Sequence, residues 1–204
     1  MPNAAKLDLY KKYHSEYVTP KEPVFITIGA AKYLALTGQG SPRGKKFEAA
    51  VGSLYAVAFT LKMAEKSAGH DYKVCHLEGQ WWTDPGTDWQ STKPEAWRWR
   101  LLIRVPNFVT EKDVWLAVES VVGKGKAPAE LVRRVILEKL DEGRCVQILH
   151  VGAYSAEKPT IEKMNQLSAS KGLKFRGPHH EIYLSDPRPV PEARLRTILR
   201  HPVH

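Results

Sequence analysis

The sequence predicts an α+β protein of two pseudo-repeated halves that share a ligand cleft. Three observations carry this reading. Short apolar, β-branched stretches alternate with segments of helical periodicity. The succession strand, glycine, helix, glycine, strand occurs twice, first from Tyr33 to Glu78 and again from Val146 to Glu181. Both closing strands carry His-x-Glu, as His76-Leu77-Glu78 and as His179-His180-Glu181.

Taken in order, Val24–Ile28 and Lys32–Thr37 read as strands, the second stopped by Gly38-Gln39-Gly40-Ser41-Pro42. A helix follows from about Lys45 to Ala68. Phe47, Val51, Leu54, Ala58 and Leu61 recur on one face, and Gly69 ends it. Tyr72–Leu77 is the next strand, Thr83–Asp88 a turn-rich loop, and Trp97–Val105 a strand closed by Pro106-Asn107. Thr110 caps a helix from Glu111 to about Val122. Pro128–Leu140 reads as a second helical piece, with proline in its first turn. Val146–Val151 is a strand, Pro159–Ser170 a helix closed by Gly172, and Gly177–Pro187 the last strand. Pro191–Leu199 reads as a short terminal helix. Residues 1–22 form an extension with amphipathic positions at Leu7, Leu9, Tyr10 and Tyr13. The body is residues 23–204, one half about 23–107 and the other about 108–204.

Composition narrows the class. The 204 residues include 43% hydrophobic and 26% charged side chains, which is ordinary globular usage. No apolar run approaches the roughly 20 residues of a membrane span. The first residues mix charges and lack an apolar signal region, so a cytoplasmic location is expected. The two cysteines, Cys75 and Cys145, form no CxxC and read as small buried hydrophobes. The net charge of +9 raises the question of nucleic acid. The basic residues are scattered, however, and no helix-turn-helix or RRM signature accompanies them, so no direct nucleic-acid binding is expected. Glycine-rich phosphate loops and the Gly-x-Ser-x-Gly elbow are missing, and no cofactor is expected. His/Glu at i, i+2 could bind a metal, but too few further ligands are evident and no metal is assigned.

Strand alternation places the carboxylates. His179, Glu181 and Tyr183 share one face of the last strand, and His180, Ile182 and Leu184 the other. Tyr72, Val74, His76 and Glu78 share a face in the first half. If the apolar faces pack on the helices, the faces of Glu78 and Glu181 point away from them and converge on a cleft with aromatic walls. That is a small-molecule site.

Several motifs together resemble the GyrI-like small-molecule-binding family, in its stand-alone branch without a DNA-binding domain. They are Ser53–Lys62, Leu77-Glu78-Gly79-Gln80-Trp81-Trp82, Trp97-x-Trp99 leading to Leu101-Leu102-Ile103 and Pro106, His150-Val151-Gly152-Ala153-Tyr154, His180–Arg188 and Leu195–Val203. The resemblance spans about Val24 to Val203. It implies two tandem strand-helix-strand-strand (SHS2-type) modules with pseudo-two-fold symmetry around a central ligand cleft. It also implies a glutamate at Glu181 that binds lipophilic cations in regulator members. A stand-alone subset hydrolyses the cyclopropane of genotoxic cyclopropanoid compounds, and this chain is similar to that subset in carrying Glu78 with Trp81-Trp82. Ala153 and His76 depart from the family, where proline is more usual at both positions.

The site expected from these readings has Glu181 and Glu78 as water-activating or proton-steering carboxylates and Tyr154 as an acid. Tyr55, Trp81, Trp82, Trp99, His76, His179 and Tyr183 would bind the substrate, the aromatic ones by stacking. Core packing competes for Tyr55, Trp99 and one of Trp81-Trp82, and Trp115 reads as core. The expected activity is water addition to a cyclopropane in detoxification. The alternative is non-catalytic sequestration of planar or cationic lipophilic drugs. The partner in either case is a small planar aromatic or lipophilic ligand, without a membrane, on a monomer or homodimer. A transcription regulator would need a DNA-binding segment from elsewhere.

Overall fold

A computed structural model describes residues 6–87 and 91–204. The elements in chain order are α1 (Leu9–Lys12), β1 (Val24–Ile28), β2 (Ala31–Gln39), α2 (Lys45–Ser67), β3 (Leu77–Trp82) and β4 (Arg98–Val105). They continue with α3 (Glu111–Gly123), α4 (Ala129–Val132), β5 (Ile136–Leu140), β6 (Gly143–Val151), α5 (Lys158–Ser170), β7 (His179–Tyr183) and β8 (Arg196–Pro202). In chain order, strand-helix-strand-strand occurs twice, as β2-α2-β3-β4 and as β6-α5-β7-β8.

The chain forms two compact units. The first comprises the chain up to Lys12, Ala31–Cys75 and Trp81–Leu140. Its strand order is β3-β4-β2-β5, and both partners of β2 run antiparallel to it. α2 packs on β2, β4 and α3 through Leu54, Val57, Ala58 and Leu61, all buried. By length and composition alone α2, at 23 residues, is long and apolar enough to cross a membrane, which the sequence reading did not anticipate. Thr110 caps α3 as expected: its hydroxyl accepts from Asp113 N–H, and the Asp113 carboxylate accepts from the Thr110 N–H. Gly38 exists for close approach, because a Cβ there would lie 2.2 Å from the Trp99 ring.

The second unit comprises Tyr13–Ala30, His76–Gln80 and Asp141–His204, with strand order β1-β6-β8-β7-β3. α5 packs on β6 around Val146, Ile148, Met164, Leu199 and Val203, with Phe25, Ile161, Leu167 and Phe175 at the margin.

Three expected elements change. The expected helix over Pro128–Leu140 keeps only its first turn, α4, and Ile136–Leu140 is edge strand β5 on β2. Leu-Glu-Lys-Leu suits a helix by propensity, but pairing with β2 satisfies its backbone instead. The expected terminal helix is a 3-10 turn at Glu192–Arg194 followed by β8. β8 sits between β6 and β7, and its apolar Ile198 and Leu199 are more deeply buried there than on a lone helix. The strand expected at Tyr72–Leu77 begins instead at Leu77, with Tyr72 held only by a bridge to Leu7. Trp115, expected in the core, is 59% exposed. Asp88 of the expected loop lies outside the described residues.

Candidate functional site

Two polar clusters flank β7, both within the second unit. Alternation assigns His179, Glu181 and Tyr183 to one face and His180 and Ile182 to the other. Pairing shows which face is which. Glu181 lies opposite Leu199 of β8, and Leu199 opposite Ile148 of β6. Leu199 and Ile148 belong to the core under α5. Glu181 therefore lies on the α5 face, a correction to the expectation that it points away from the helices. The apolar rows of β6 and β8 decide the buried helix face, while β7 by itself alternates two half-apolar faces.

On the α5 face, Glu181 meets Glu157 at the start of α5 and His179 on its own strand. One ligand atom from each of the three lies within 4.8 Å of the others. His179 Nε2 is 3.8 Å from Glu181 Oε1. Glu157 is 6% exposed, and its Oε1 has no hydrogen-bond partner. Tyr154 packs edge-on against Tyr183, with ring centroids 5.7 Å apart, and at 38% exposure it opens the cluster to solvent. His201 of β8 lies over Phe175 and beside His179.

The loop that brings Tyr154 and Glu157 here is held by His150. Its Nδ1 lies 3.0 Å from the Thr160 hydroxyl, and its Nε2 lies 3.1 Å from the Ala153 carbonyl, spanning both ends of the loop. Gly152 turns the chain at φ +139, a backbone conformation that side chains disfavour.

Burial sets the electrostatics of this face. It pushes the Glu157 carboxyl up, and the negative charge of Glu181 adds to the rise. Burial also pushes Glu181 up, partly offset by a hydrogen bond from Tyr183 and by the positive His180. Burial, then the charges of His201 and His180, takes His179 down to about 3, so its imidazole is neutral near pH 7. Burial and then Glu181 push the Tyr154 phenol up to about 12. The spacing of Glu157, His179 and Glu181 would also admit a small cation, a set that the sequence spacing alone did not bring together.

On the opposite face His180 is fully buried. Its Nδ1 is 2.8 Å from Glu142 Oε1, and its Nε2 is 3.0 Å from Glu78 Oε2 in an ion-pair contact poorly aligned for a hydrogen bond. Tyr17 donates to the other Glu78 oxygen at 3.1 Å. Arg200 reaches Glu142 Oε2 at 3.0 Å, donates to Gln147 at 2.8 Å and caps the Glu16 carbonyl at 2.5 Å. Burial opposes a charge on His180, but Glu142 and then Glu78 outweigh it and hold the imidazolium up to about 9. Burial likewise opposes the Glu142 charge, and His180 and Arg200 outweigh it and hold that carboxyl far below its usual range.

The expected partnership of Glu78 and Glu181 is thus not what the structure brings together. Glu78 is fully buried against His180 and Tyr17, on the face opposite Glu181. Glu181, His179, Tyr183 and Tyr154 do gather. His76, in the second unit, is half-buried ahead of β3. In the first unit, Trp81 stacks on Phe47 at 5.4 Å and meets Trp97 edge-on, while Trp99 meets Phe47 edge-on. Trp81 and Trp99 are 5% and 3% exposed, so they are core residues. Trp82 is half-buried beneath Arg100, and Tyr55 stacks on the exposed Phe59. A surface groove in that unit, lined by Lys32, Thr110, Leu137 and Glu138 among others, contains none of the expected site residues.

Sequence reasoning missed Glu157, Glu142, Tyr17 and Arg200. Glu157 reads as an ordinary acid at a helix start, and Glu142 as a solvated turn residue before Gly143. The available signal was the neighbourhood of Gly152 and Tyr154, already singled out.

Comparison with known proteins agrees with this architecture. The GyrI-like small-molecule-binding domain matches residues 21–204. The chain belongs to the GyrI-like family. Among solved structures, an uncharacterized conserved protein from Listeria innocua shares 36% identity over 98% of this chain and 100% of its own, with a TM-score of 0.89. A hydrolase from Listeria innocua shares 35% identity over the same shares of both chains, with a TM-score of 0.85. The EcmrR C-terminal domain, at 10% identity and TM-score 0.60 over 90% of this chain and 97% of its own, shares the fold. No curated protein matches the chain. A GyrI-like domain binds small molecules, so a small ligand is this chain's partner.

Proposed function

We propose that this GyrI-like protein is a hydrolase that opens the cyclopropane of cyclopropanoid compounds by adding water, a detoxification reaction in the cytoplasm. Glu181 carries the reading. It is a largely buried carboxyl group, pushed up by desolvation, near a phenol that reaches solvent. Full-length likeness to a Listeria hydrolase supports an enzyme over a passive binder.

A spirocyclopropyl dienone is strained, and opening it creates an aromatic ring, so modest assistance suffices. Water oxygen bonds to the cyclopropane carbon. The broken carbon–carbon bond sends its electron pair into the ring and onto the dienone oxygen. Glu181 takes a proton from the water, which needs a base titrating near the working pH. Tyr154, still protonated at neutral pH, donates a hydrogen bond to the oxygen where charge develops. That oxygen ends as a phenol with a proton from solvent, and Glu181 returns its own to solvent, so the net change is one added water. Tyr183, packed edge-on against Tyr154, is the aromatic side chain beside Glu181. Glu78 is assigned to the buried charge network.

Incubating the purified protein with a spirocyclopropyl dienone and following products by mass tests this. Wild type should add one water and Glu181→Gln should not. Tight binding that survives long incubation without product would overturn the hydrolase and leave sequestration.

A further inference from the structure

We propose that Glu157, His179 and Glu181 form a site for one divalent transition-metal ion of the zinc class. The ion takes two carboxylate oxygens and one imidazole nitrogen from this chain and leaves its remaining positions to water. Its binding stands apart from the hydrolase reading, and only its effect on turnover rests on that reading.

Two segments hold the three side chains. His179 and Glu181 are i, i+2 on β7 and share a face. Glu157 comes from the loop that leads into α5. Its backbone N–H donates to the Tyr154 carbonyl, and its carbonyl accepts from Thr160 and Ile161 at 2.9 Å each. The His150 contacts with Thr160 and Ala153 hold the same loop. One ligand atom from each residue lies within 4.8 Å of the other two. Two ligands at about 2.1 Å from a shared zinc ion lie up to about 4.2 Å apart, so small side-chain rotations close the set. His179 Nε2 and Glu181 Oε1, at 3.8 Å, already lie within that span and are too far apart to hydrogen-bond each other.

A second observation points to a ligand. Glu157 is 6% exposed, and its Oε1 has no hydrogen-bond partner. His179 Nε2 has none either. Buried polar atoms are normally satisfied, and a buried carboxylate is costly unless it is paired or coordinates a metal. One bound ion satisfies the Glu157 oxygen and the His179 nitrogen together, and its two positive charges meet the two carboxylates.

The donor set selects the ion. Two carboxylates with an imidazole suit zinc, cobalt or manganese. Magnesium and calcium take oxygen ligands, and an imidazole serves neither. The thiols of Cys75 and Cys145 lie outside the set. Three protein ligands leave a position open to water, as in exchangeable rather than closed structural sites. Tyr154, 38% exposed against Tyr183, marks the way in from solvent. With the ion in place, Glu181 donates to the metal the lone pair that ring opening uses to take a proton from water. The loaded protein is therefore the slow form and the ion-free protein the fast one.

Full-length protein, stripped with chelator and dialysed, is titrated with Zn²⁺ by calorimetry and with Co²⁺ by absorption. One ion per chain should bind, and excess Mg²⁺ should not displace it. Co²⁺ should give visible bands without a thiolate charge-transfer band in the near ultraviolet. Glu157→Gln and His179→Gln should each weaken Zn²⁺ by at least the roughly 10–100-fold that losing an outer-shell partner costs. Melting without metal checks that both variants fold, and Zn²⁺ should raise the melting temperature of wild type but not theirs. The cobalt spectrum of wild type needs no variant. Failure of wild type to bind one ion overturns the proposal. Zn²⁺ affinity unchanged in both variants, or a thiolate band, also overturns it. Saturating Zn²⁺ should slow ring opening by about tenfold or more, reversibly with chelator. Zn²⁺ held by these residues with turnover unchanged keeps the site and removes Glu181 as the base. Turnover intact in a protein that binds no Zn²⁺ keeps the base and overturns the site.

Discussion

The two faces of β7 use the same residue types to opposite ends. On one face, Glu78, His180, Glu142 and Arg200 form a chain, anchored by Tyr17, Gln147 and the Glu16 carbonyl. On the other, the carboxyls of Glu157 and Glu181 lie near each other and His179, with no cationic side chain beside them among the described residues. Burial is similar on both, so burial does not separate them. Pairing does. Where Glu142 faces the cations of His180 and Arg200 it stays ionised, and its removal costs stability. Where two carboxyls lie near each other and the nearby imidazoles are neutral, ionisation is disfavoured and the arrangement costs stability. The difference shows why a buried glutamate in this fold cannot be assigned a role from its burial alone.

Exchanging the carboxylates between roles would break this comparison. Glu181→Gln should lower the rate of ring opening by about 10²–10⁴-fold, with thermal stability unchanged or slightly raised, because a poorly solvated charge is removed. Loss of folding in this variant would show that Glu181 belongs with the structural carboxylates. Glu142→Gln should do the reverse and destabilise by about 3–5 kcal/mol in denaturant titration, because His180 and Arg200 lose a buried partner. The residual folded fraction should retain its rate per molecule. A loss below about 1 kcal/mol would mean that the network relaxes to water.

pH sharpens the contrast. His180 is raised from 6.5 to about 9, so its contribution is fully present below its unfolded value and is lost as pH rises through about 9. Glu142 is lowered from 4.5, so its contribution is present above that value and is lost as pH falls through its depressed folded value. Stability should therefore decline at both extremes, and Glu78→Gln, by weakening the pull on His180, should move the alkaline decline to lower pH. An alkaline limb unmoved in Glu78→Gln would leave Glu142 as the sole support of the imidazolium.

Much of the fold was legible because periodicity and breakers agree with long-range pairing over β1, β2, α2, β4, α3, β6 and α5. It was not legible at Ile136–Leu140 and Arg196–Pro202, where a neighbouring strand overrides local helix preference. The site was half legible. Strand alternation correctly separated Glu181 from His180, but it could not say which face α5 covers, since that depends on Leu199 and Ile148 from other strands. The recurrence of His-x-Glu suggested equivalent glutamates. In the folded chain Glu78 instead meets His180, whose side chain is on the face opposite Glu181. Glu157 was invisible because its place beside Glu181 comes from a loop clamped by His150, a contact that no spacing reveals.

The smallest effect tests how far the reactive face extends toward solvent. Tyr154→Phe removes a phenol that is still protonated at neutral pH and leaves its ring against Tyr183. The hydroxyl is more than a third exposed with its residue, so stability should change by less than about 0.5 kcal/mol. If the phenol stabilises developing charge on the dienone oxygen, the rate should fall about tenfold, with substrate affinity nearly unchanged. The pH-dependent rising limb should stay where it is, because Glu181 titrates whether or not the phenol is there. A shifted limb with an unchanged maximum would instead make Tyr154 a tuner of Glu181, confined to the carboxyl pair and out of contact with the substrate.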